Sequence, residues 1–418
     1  MPSADQTPVA TARAGGGATL RRGLGLWHAV LYGLGVTIGA GIYVLIGPAS
    51  AKAGMAAPIA FVVAAVLMVL TAASFAELAG RMPVAAGEAA YVEAGFRSSP
   101  AGTAVGLLVV GIAIATSAAI SVGSAGYILD FVDLPAPLVV AAVVLAMGAV
   151  AAWGIVESVT FAGIMTLIEV GGLLLIVALG AIAAPGLVDR LPEALPPLAA
   201  GGAWRGVLAA GLLAVFAFIG FEGIVNIAEE VESPARTLPR AIFITLALAT
   251  VLYIVVTWVA LVAVGPAELA RSPAPLTVVF ERLAGMAPWP MSAIAIVATL
   301  NGIIVSMIMA SRVLYGLAAR GQIWAPLATV SPLTRTPLLG TGLTVSLVLA
   351  LALAIPLEGL AELSSRLTLA VFALVNLSLV LIRWREVARP SGIYRAPLGV
   401  PHAGFLATVL FLLADAFS

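Results

Sequence analysis

The chain divides into apolar segments separated by short polar connections, and a helix needs about 20 apolar residues to cross the hydrocarbon core of a bilayer. Eleven such segments run approximately 26 to 50, 56 to 80, 102 to 129, 136 to 154, 158 to 184, 206 to 230, 239 to 264, 288 to 314, 337 to 356, 362 to 382 and 402 to 416, the last of them short. Backbone N–H and C=O groups in lipid find partners only within the helix itself, so each segment predicts a transmembrane α-helix. The stretch from 266 to 288 carries Glu268, Arg271, Glu281 and Arg282 and is too polar to span. Its apolar run at 276 to 280 predicts short helices lying over the outer face.

Two segments are interrupted at matching places. Span one reads Gly33-Leu34-Gly35-Val36-Thr37-Ile38-Gly39-Ala40-Gly41-Ile42-Tyr43, with four glycines in nine residues near the middle of the bilayer. Each glycine weakens a helix by roughly 1 kcal/mol relative to alanine, and an unwound turn exposes backbone groups that only a cavity or a ligand satisfies. Span six reads Phe216-Ala217-Phe218-Ile219-Gly220-Phe221-Glu222-Gly223, again with glycine and now with a carboxylate at membrane depth. The two spans are five apart, as in a chain whose spans one to five and six to ten are inverted repeats, and interrupted segments in corresponding positions mark a transporter's binding site. Freed amides of span one suit a carboxylate at a helix N-terminus, and freed carbonyls of span six suit an ammonium. A zwitterion fits both. A lone Gly-x-x-x-Gly is explained by close helix packing; two matched breaks are not.

Composition agrees with a bilayer as the solvent. Hydrophobic residues make up 62% of the 418 and charged ones only 10%, against roughly 25% charged in a soluble fold. The net charge is zero, so no basic field draws nucleic acid. Cysteine is absent, which removes disulfides, thiol catalysis and thiolate metal sites. The two histidines are His28, beside Trp27 at the expected inner interface, and His402, after a proline in a loop; both read as solvated. No metal and no cofactor is expected. Residues 1–22 lack the apolar core of a signal peptide and read as a disordered cytoplasmic tail. With the N-terminus cytoplasmic, fourteen of the twenty basic residues fall on the cytoplasmic side and six on the other, in keeping with the positive-inside rule. The expected location is the cell (inner) membrane, multi-pass.

Four motifs carry a family resemblance: Gly35 to Gly47; Phe75-Ala76-Glu77-Leu78 through Pro83 and Gly87-Glu88 to Tyr91; Phe216 to Glu222 continuing through Glu229-Glu230-Val231-Glu232-Ser233-Pro234-Ala235-Arg236 to Pro239; and Ala310-Ser311-Arg312-Val313-Leu314-Tyr315-Gly316-Leu317-Ala318. Over about residues 24 to 400 the chain resembles the amino acid, polyamine and organocation superfamily of secondary transporters, nearest to its cationic-amino-acid-transporter-like branch. The resemblance implies an all-α integral membrane protein, a five-plus-five inverted-repeat fold with discontinuous helices 1 and 6 that works by alternating access. It divides the chain into a first repeat at 23–184, an extracellular loop at 185–205, a second repeat at 206–383, and a loop with terminal helix 11 at 384–418. Substrate is then held at Ile38, Gly39, Ala40, Gly41, Ile42, Phe216, Phe218, Ile219, Gly220 and Glu222, with Phe216 matching an aromatic gate position. Glu222 matches an acidic residue implicated in gating or proton coupling. Glu229 and Glu230 lie at the cytoplasmic gate, where Arg312 either pairs with one of them or snorkels to the interface.

Two departures qualify that resemblance. Proton-coupled members of the branch carry a lysine in span five where this chain has Glu169, in Met165-Thr166-Leu167-Ile168-Glu169-Val170-Gly171-Gly172. Glu169 sits mid-span in an apolar run, where desolvation disfavours its charge and suits a proton carrier; a cation ligand and a permanently protonated structural residue remain open. The other departure is a short eleventh segment where relatives have twelve spans or more. Glu77 and Arg81, four apart, read as a structural pair on one helix face, and Thr116, Ser117 and Asn301 read either as site-lining groups or as interhelical bonds. The function expected is secondary active transport of amino acids, as proton symport, with exchange or amino-acid sensing as alternatives. An enzyme lacks support, since there is no Ser/His/Asp set, metal cluster or phosphate loop, and a channel predicts continuous pore-lining polar residues. The apolar midmembrane walls favour neutral substrates; a cationic one stays open if Glu222 faces the pocket.

Overall fold

Runs of Ala, Leu, Val and Ile that have only lipid or each other as neighbours must close their backbone bonds internally, and among the described residues every regular element of the protein is a helix. The computed structural model describes residues 24–83, 87–154, 159–184, 186–228, 230–387 and 390–416. The tail at 1–22 and Glu229 therefore lie outside the described residues.

In chain order the helices are α1 (Leu26–Ala53), α2 (Ala57–Arg81), α3 (Gly87–Phe96), α4 (Ser99–Ile128), α5 (Ala136–Trp153), α6 (Val159–Ala183), α7 (Gly201–Phe218), α8 (Pro234–Val264), α9 (Pro266–Arg271), α10 (Pro275–Ala284), α11 (Trp289–Ala319), α12 (Leu338–Ala354), α13 (Leu357–Trp384) and α14 (Val400–Ala416). Eight helical stretches among the described residues are long and apolar enough to cross a membrane; the first, Leu26–Arg81, holds both α1 and α2, while α12 and α14 are apolar but shorter. The surface is greasy where lipid would lie: Leu343 and Leu347 of α12 and Leu406 and Leu410 of α14 are exposed. This is a multi-pass membrane protein.

Several helices run beyond the apolar segments that mark them. Helix α8 begins at Pro234, not 239, and α13 at Leu357, not 362. Hydropathy stops where side chains turn polar, but the backbone ladder continues to its cap, and proline at the first turn suits such a start. Helix α3 is not anticipated by hydropathy at all, since it is ten residues of mixed polarity. Ser98 then accepts a bond from Ala101 N and caps α4. The polar stretch after α8 folds as the short helices α9 and α10. His402 lies in the first turn of α14, exposed, with Nδ1 3.3 Å from Leu398 O, and not in a loop.

Helices α1, α2, α7 and α8 pack against one another, α4 packs between α11 and α13, and α5 packs with α12. Helix α1 also touches α6 and α11, so its midpoint is enclosed on all sides.

Candidate functional site

Helix α1 is interrupted at Gly39, whose torsions (φ −27°, ψ −138°) are not helical. The helix restarts beyond it, and the first amides of the second half face back into the break as at any helix N-terminus. Helix α7 stops at Phe218, Gly220 takes φ 124°, and the chain goes on as a 3-10 segment, Phe221–Ile227. That φ belongs to glycine. A Cβ on Gly220 would strike the carbonyl oxygen of Val36, and one on Gly41 would come within 2.8 Å of Ala217 Cα. The two broken backbones thus lie directly against each other. Gly39 is itself buried, yet a Cβ there would meet nothing within 4 Å, so open space inside the protein adjoins the break.

The residues around that space are mostly apolar. Ile38, Ala40, Ile42 and Phe216 are buried, and Gly302 of α11 lies against both Ala40 of α1 and Ile120 of α4. Phe218 is buried, with its ring edge-on to Tyr253 at 5.1 Å between centroids. Ile219 and Glu222 are half-buried. The Glu222 carboxylate accepts a bond from Gly220 N at 2.9 Å and so holds the amide freed at its own break. Thr116 and Ser364 hydroxyls bond each other at 2.7 Å. The hydroxyls of Thr37, Ser117 and Ser365 are buried without partners.

Tyr253, which sequence reasoning missed, joins the breaks. Its hydroxyl on α8 lies 2.8 Å from both Thr37 O and Ala217 O, one carbonyl from each interrupted helix. Its ring packs edge-on against Phe61 and Phe218. One tyrosine in the apolar run Leu252-Tyr253-Ile254 gives little signal, although a hydroxyl at membrane depth always needs an acceptor. Tyr253→Phe keeps the ring and leaves both carbonyls without this donor. The expected result is a loss of about 1–3 kcal/mol, seen as a lower thermal midpoint together with a raised KM for the substrate in uptake assays.

Glu169 faces α1 from α6 and is fully buried. Its Oε1 accepts from Asn301 Nδ2 at 3.0 Å, and its backbone carbonyl accepts from the Tyr43 hydroxyl at 2.6 Å. The carbonyl of Tyr43 in turn takes the hydroxyl of Tyr127 on α4. A chain of polar groups therefore runs from α4 through α1 to α6 and α11.

On the face where α1 begins, four aromatic rings cluster. Phe75 packs edge-on against Tyr91 of α3, Phe221 and Phe372 at 6.1, 5.9 and 5.5 Å. Leu24 bonds Glu230 O and Glu232 N, which ties the start of α1 to the chain leaving the 3-10 segment. Arg312 is exposed and forms no ion pair with Glu230, although both lie near enough to Tyr32 for their charges to act on it. Glu77 is more than a helix-face pair with Arg81. Its carboxylate also takes Arg383 and the Ala396 amide, while Glu386 takes Arg81 and Arg395, so one charge network joins α2, α13 and the chain entering α14.

A family model described as amino acid permease matches residues 24–417. The chain is 30% identical over 422 residues to the branched-chain amino acid permease of Bacillus subtilis, covering 95% of this chain and 88% of that one. It is 32% identical over 403 residues to an uncharacterized transporter of Mycobacterium tuberculosis, covering 94% and 86%. It is 29% identical over 378 residues to a vacuolar cationic amino acid transporter of Arabidopsis thaliana, covering 85% of this chain and 62% of that one.

Proposed function

The chain belongs to the amino acid permease family, and from that premise we propose that it carries neutral branched amino acids across the cell membrane by alternating access, in symport with protons. Amino acid transport, and not an enzymatic activity, follows from the family and its relatives. The observation that supports the substrate site is the contact of two broken helices beside open space at Gly39. Amides following the α1 break receive the carboxylate, and carbonyls at the end of α7 receive the ammonium. Ile38, Ile42, Phe216 and Ile120 suit an aliphatic side chain, and one relative is named for branched-chain amino acids.

In this reading residues 23–184 and 206–383 are the two inverted repeats of five spans each, joined by the outer loop at 185–205, with an eleventh span in 384–418. The N-terminus is cytoplasmic. The ring cluster of Phe75, Tyr91, Phe221 and Phe372 then forms the cytoplasmic gate together with the charges of Glu230 and Arg312, and Glu229 is assigned to it from the sequence alone. Glu169, a carboxyl group fully buried among apolar spans, carries the coupled proton, since ionisable groups at that depth are costly and mark proton and ion pathways.

Reconstitution into proteoliposomes tests this. Labelled leucine, isoleucine and valine are expected to enter saturably and to accumulate when the proton gradient points inward, with accumulation lost on adding a protonophore. Exchange without gradient-driven accumulation would make the protein an antiporter, and preferential uptake of arginine would overturn the neutral-substrate assignment.

A further inference from the structure

Glu169 and Asn301 come from spans 132 residues apart, and their side chains meet at 3.0 Å. The Nδ2 of Asn301 donates to Glu169 Oε1, while Asn301 Oδ1 is buried and accepts nothing. A primary amide and a carboxylic acid are self-complementary: amide N–H to acid C=O, and acid O–H to amide oxygen. A carboxylate completes only the first of these bonds, since its other oxygen and the amide oxygen are both acceptors. Asn301 therefore offers an ionised Glu169 one charge-assisted bond and a protonated Glu169 two neutral ones. A charge-assisted bond is worth roughly two neutral bonds, so the amide supports both protonation states by similar amounts and Glu169 keeps a bond to it in either state. Burying a charge costs far more than burying a neutral acid, and the charge-assisted bond from Asn301 offsets part of that cost.

The next residue along α11 is placed to pass this on. A Cβ on Gly302 would lie 3.2 Å from Ile120 Cδ1, 3.5 Å from Ala40 Cβ and 3.8 Å from Ala40 N, so Gly302 rests on the α1 break. Among the described residues, the titratable groups facing Glu169 include Tyr43 of α1 and Tyr253 of α8, with Tyr127 of α4 behind Tyr43. These are phenols, neutral in the physiological range. The bonding capacity of Asn301 is what changes when the proton arrives.

We propose that Asn301 is a positioning residue that lets Glu169 take up and release a proton in each cycle, and that α11 relays the protonation state to Ala40 through Gly302. The proposal rests on Glu169 being the proton carrier. A proton from the outer solution adds to Oε2 and is shared with Asn301 Oδ1 while the Nδ2 bond persists; on release the Oε2–H bond breaks, the proton passes to water on the cytoplasmic side, and the Nδ2 bond stays in place. No electrons move and no other reactant is needed.

The test uses the full chain in proteoliposomes and reads two rates: leucine accumulation driven by an inward proton gradient, and exchange of labelled for unlabelled leucine without one. Asn301→Leu keeps the volume and removes both bonds. It is expected to lose accumulation by about tenfold or more, the equivalent of one 1.4 kcal/mol step, to keep exchange within about twofold, and to flatten the pH dependence of uptake. Asn301→Ser, whose hydroxyl donates and accepts, is expected to recover most of the accumulation, and Asn301→Ala replaces the leucine variant if that fails to insert. Unchanged accumulation, or equal loss of accumulation and exchange, overturns the proposal. Glu169→Gln run alongside separates the two assignments. If it keeps pH-dependent accumulation, the proton-carrier reading fails and takes this proposal with it; if it loses accumulation while Asn301→Leu keeps it, the role of Asn301 alone is wrong.

Discussion

Glu77→Ala is expected to destabilise the protein by about 3–5 kcal/mol, the range for removing one partner from a buried ion pair. Glu77 lies near the end of α2 with its side chain fully buried, and Arg81 and Arg383 beside it are 11% and 5% exposed. Its two oxygens accept from both guanidinium groups and from the Ala396 amide at 2.8 Å. Removing the carboxylate leaves two buried cations and an amide facing each other. Glu386 softens the loss only for Arg81, through its 3.0 Å bond. Arg395 stands at the rim of the same network, 31% exposed, and Arg395→Gln is expected to cost less than about 1 kcal/mol, as surface ion pairs do. Thermal unfolding of both variants in detergent, followed by size-exclusion chromatography, checks the contrast; equal shifts would mean that the network does not centre on Glu77.

Gly41→Val is expected to abolish substrate binding. The nearest atoms to a Cβ at Gly41 are Ala217 Cα at 2.8 Å, Ala217 Cβ at 3.4 Å and Ala217 N at 3.5 Å, and two of these are backbone that no rotamer change can move. Valine would therefore push the α1 and α7 breaks apart and displace the amides and carbonyls that hold the two ends of the substrate. Overpacking of this kind costs roughly 1–3 kcal/mol of stability. The expected loss of affinity is larger in effect, about 100-fold or more, since each 1.4 kcal/mol is tenfold. Gly171→Ala in α6 is the matching control, because a Cβ there meets nothing within 4 Å and alanine favours the helix by about 1 kcal/mol. Its transport is expected to equal wild type; a parallel loss in both variants would show a general sensitivity of the bundle.

Much of this was legible in the chain because the bilayer imposes a one-dimensional signal. Spans show up as apolar runs, and the breaks show up as glycines at matching places in two spans five apart. The interruptions fall at Gly39 and Gly220, inside the segments that the sequence marks. What stayed hidden depends on contacts between distant spans. Tyr253 bonds Thr37 across 216 residues and Arg383 reaches Glu77 across 306, and local periodicity carries no trace of either pairing. Asn301 was visible as a polar group at membrane depth, but its partner was not. Phe218 reads as a pocket residue in sequence because it adjoins the break, but the packing of its ring on Tyr253 of α8 was not visible there. Helix α3 escaped because it lies outside the spans, where hydropathy has little to say.

The central claim is that backbone freed at both breaks reads both ends of an amino acid. Binding of labelled L-leucine to the purified protein, in competition with two leucine fragments, tests it most directly. One fragment, 3-methylbutylamine, lacks the carboxylate, and the other, 4-methylpentanoic acid, lacks the ammonium. Saturable leucine binding that unlabelled leucine displaces, with both fragments weaker by about 100-fold or more, is the expected result. Displacement by either fragment at concentrations similar to leucine, or no saturable binding of any neutral amino acid, would contradict it.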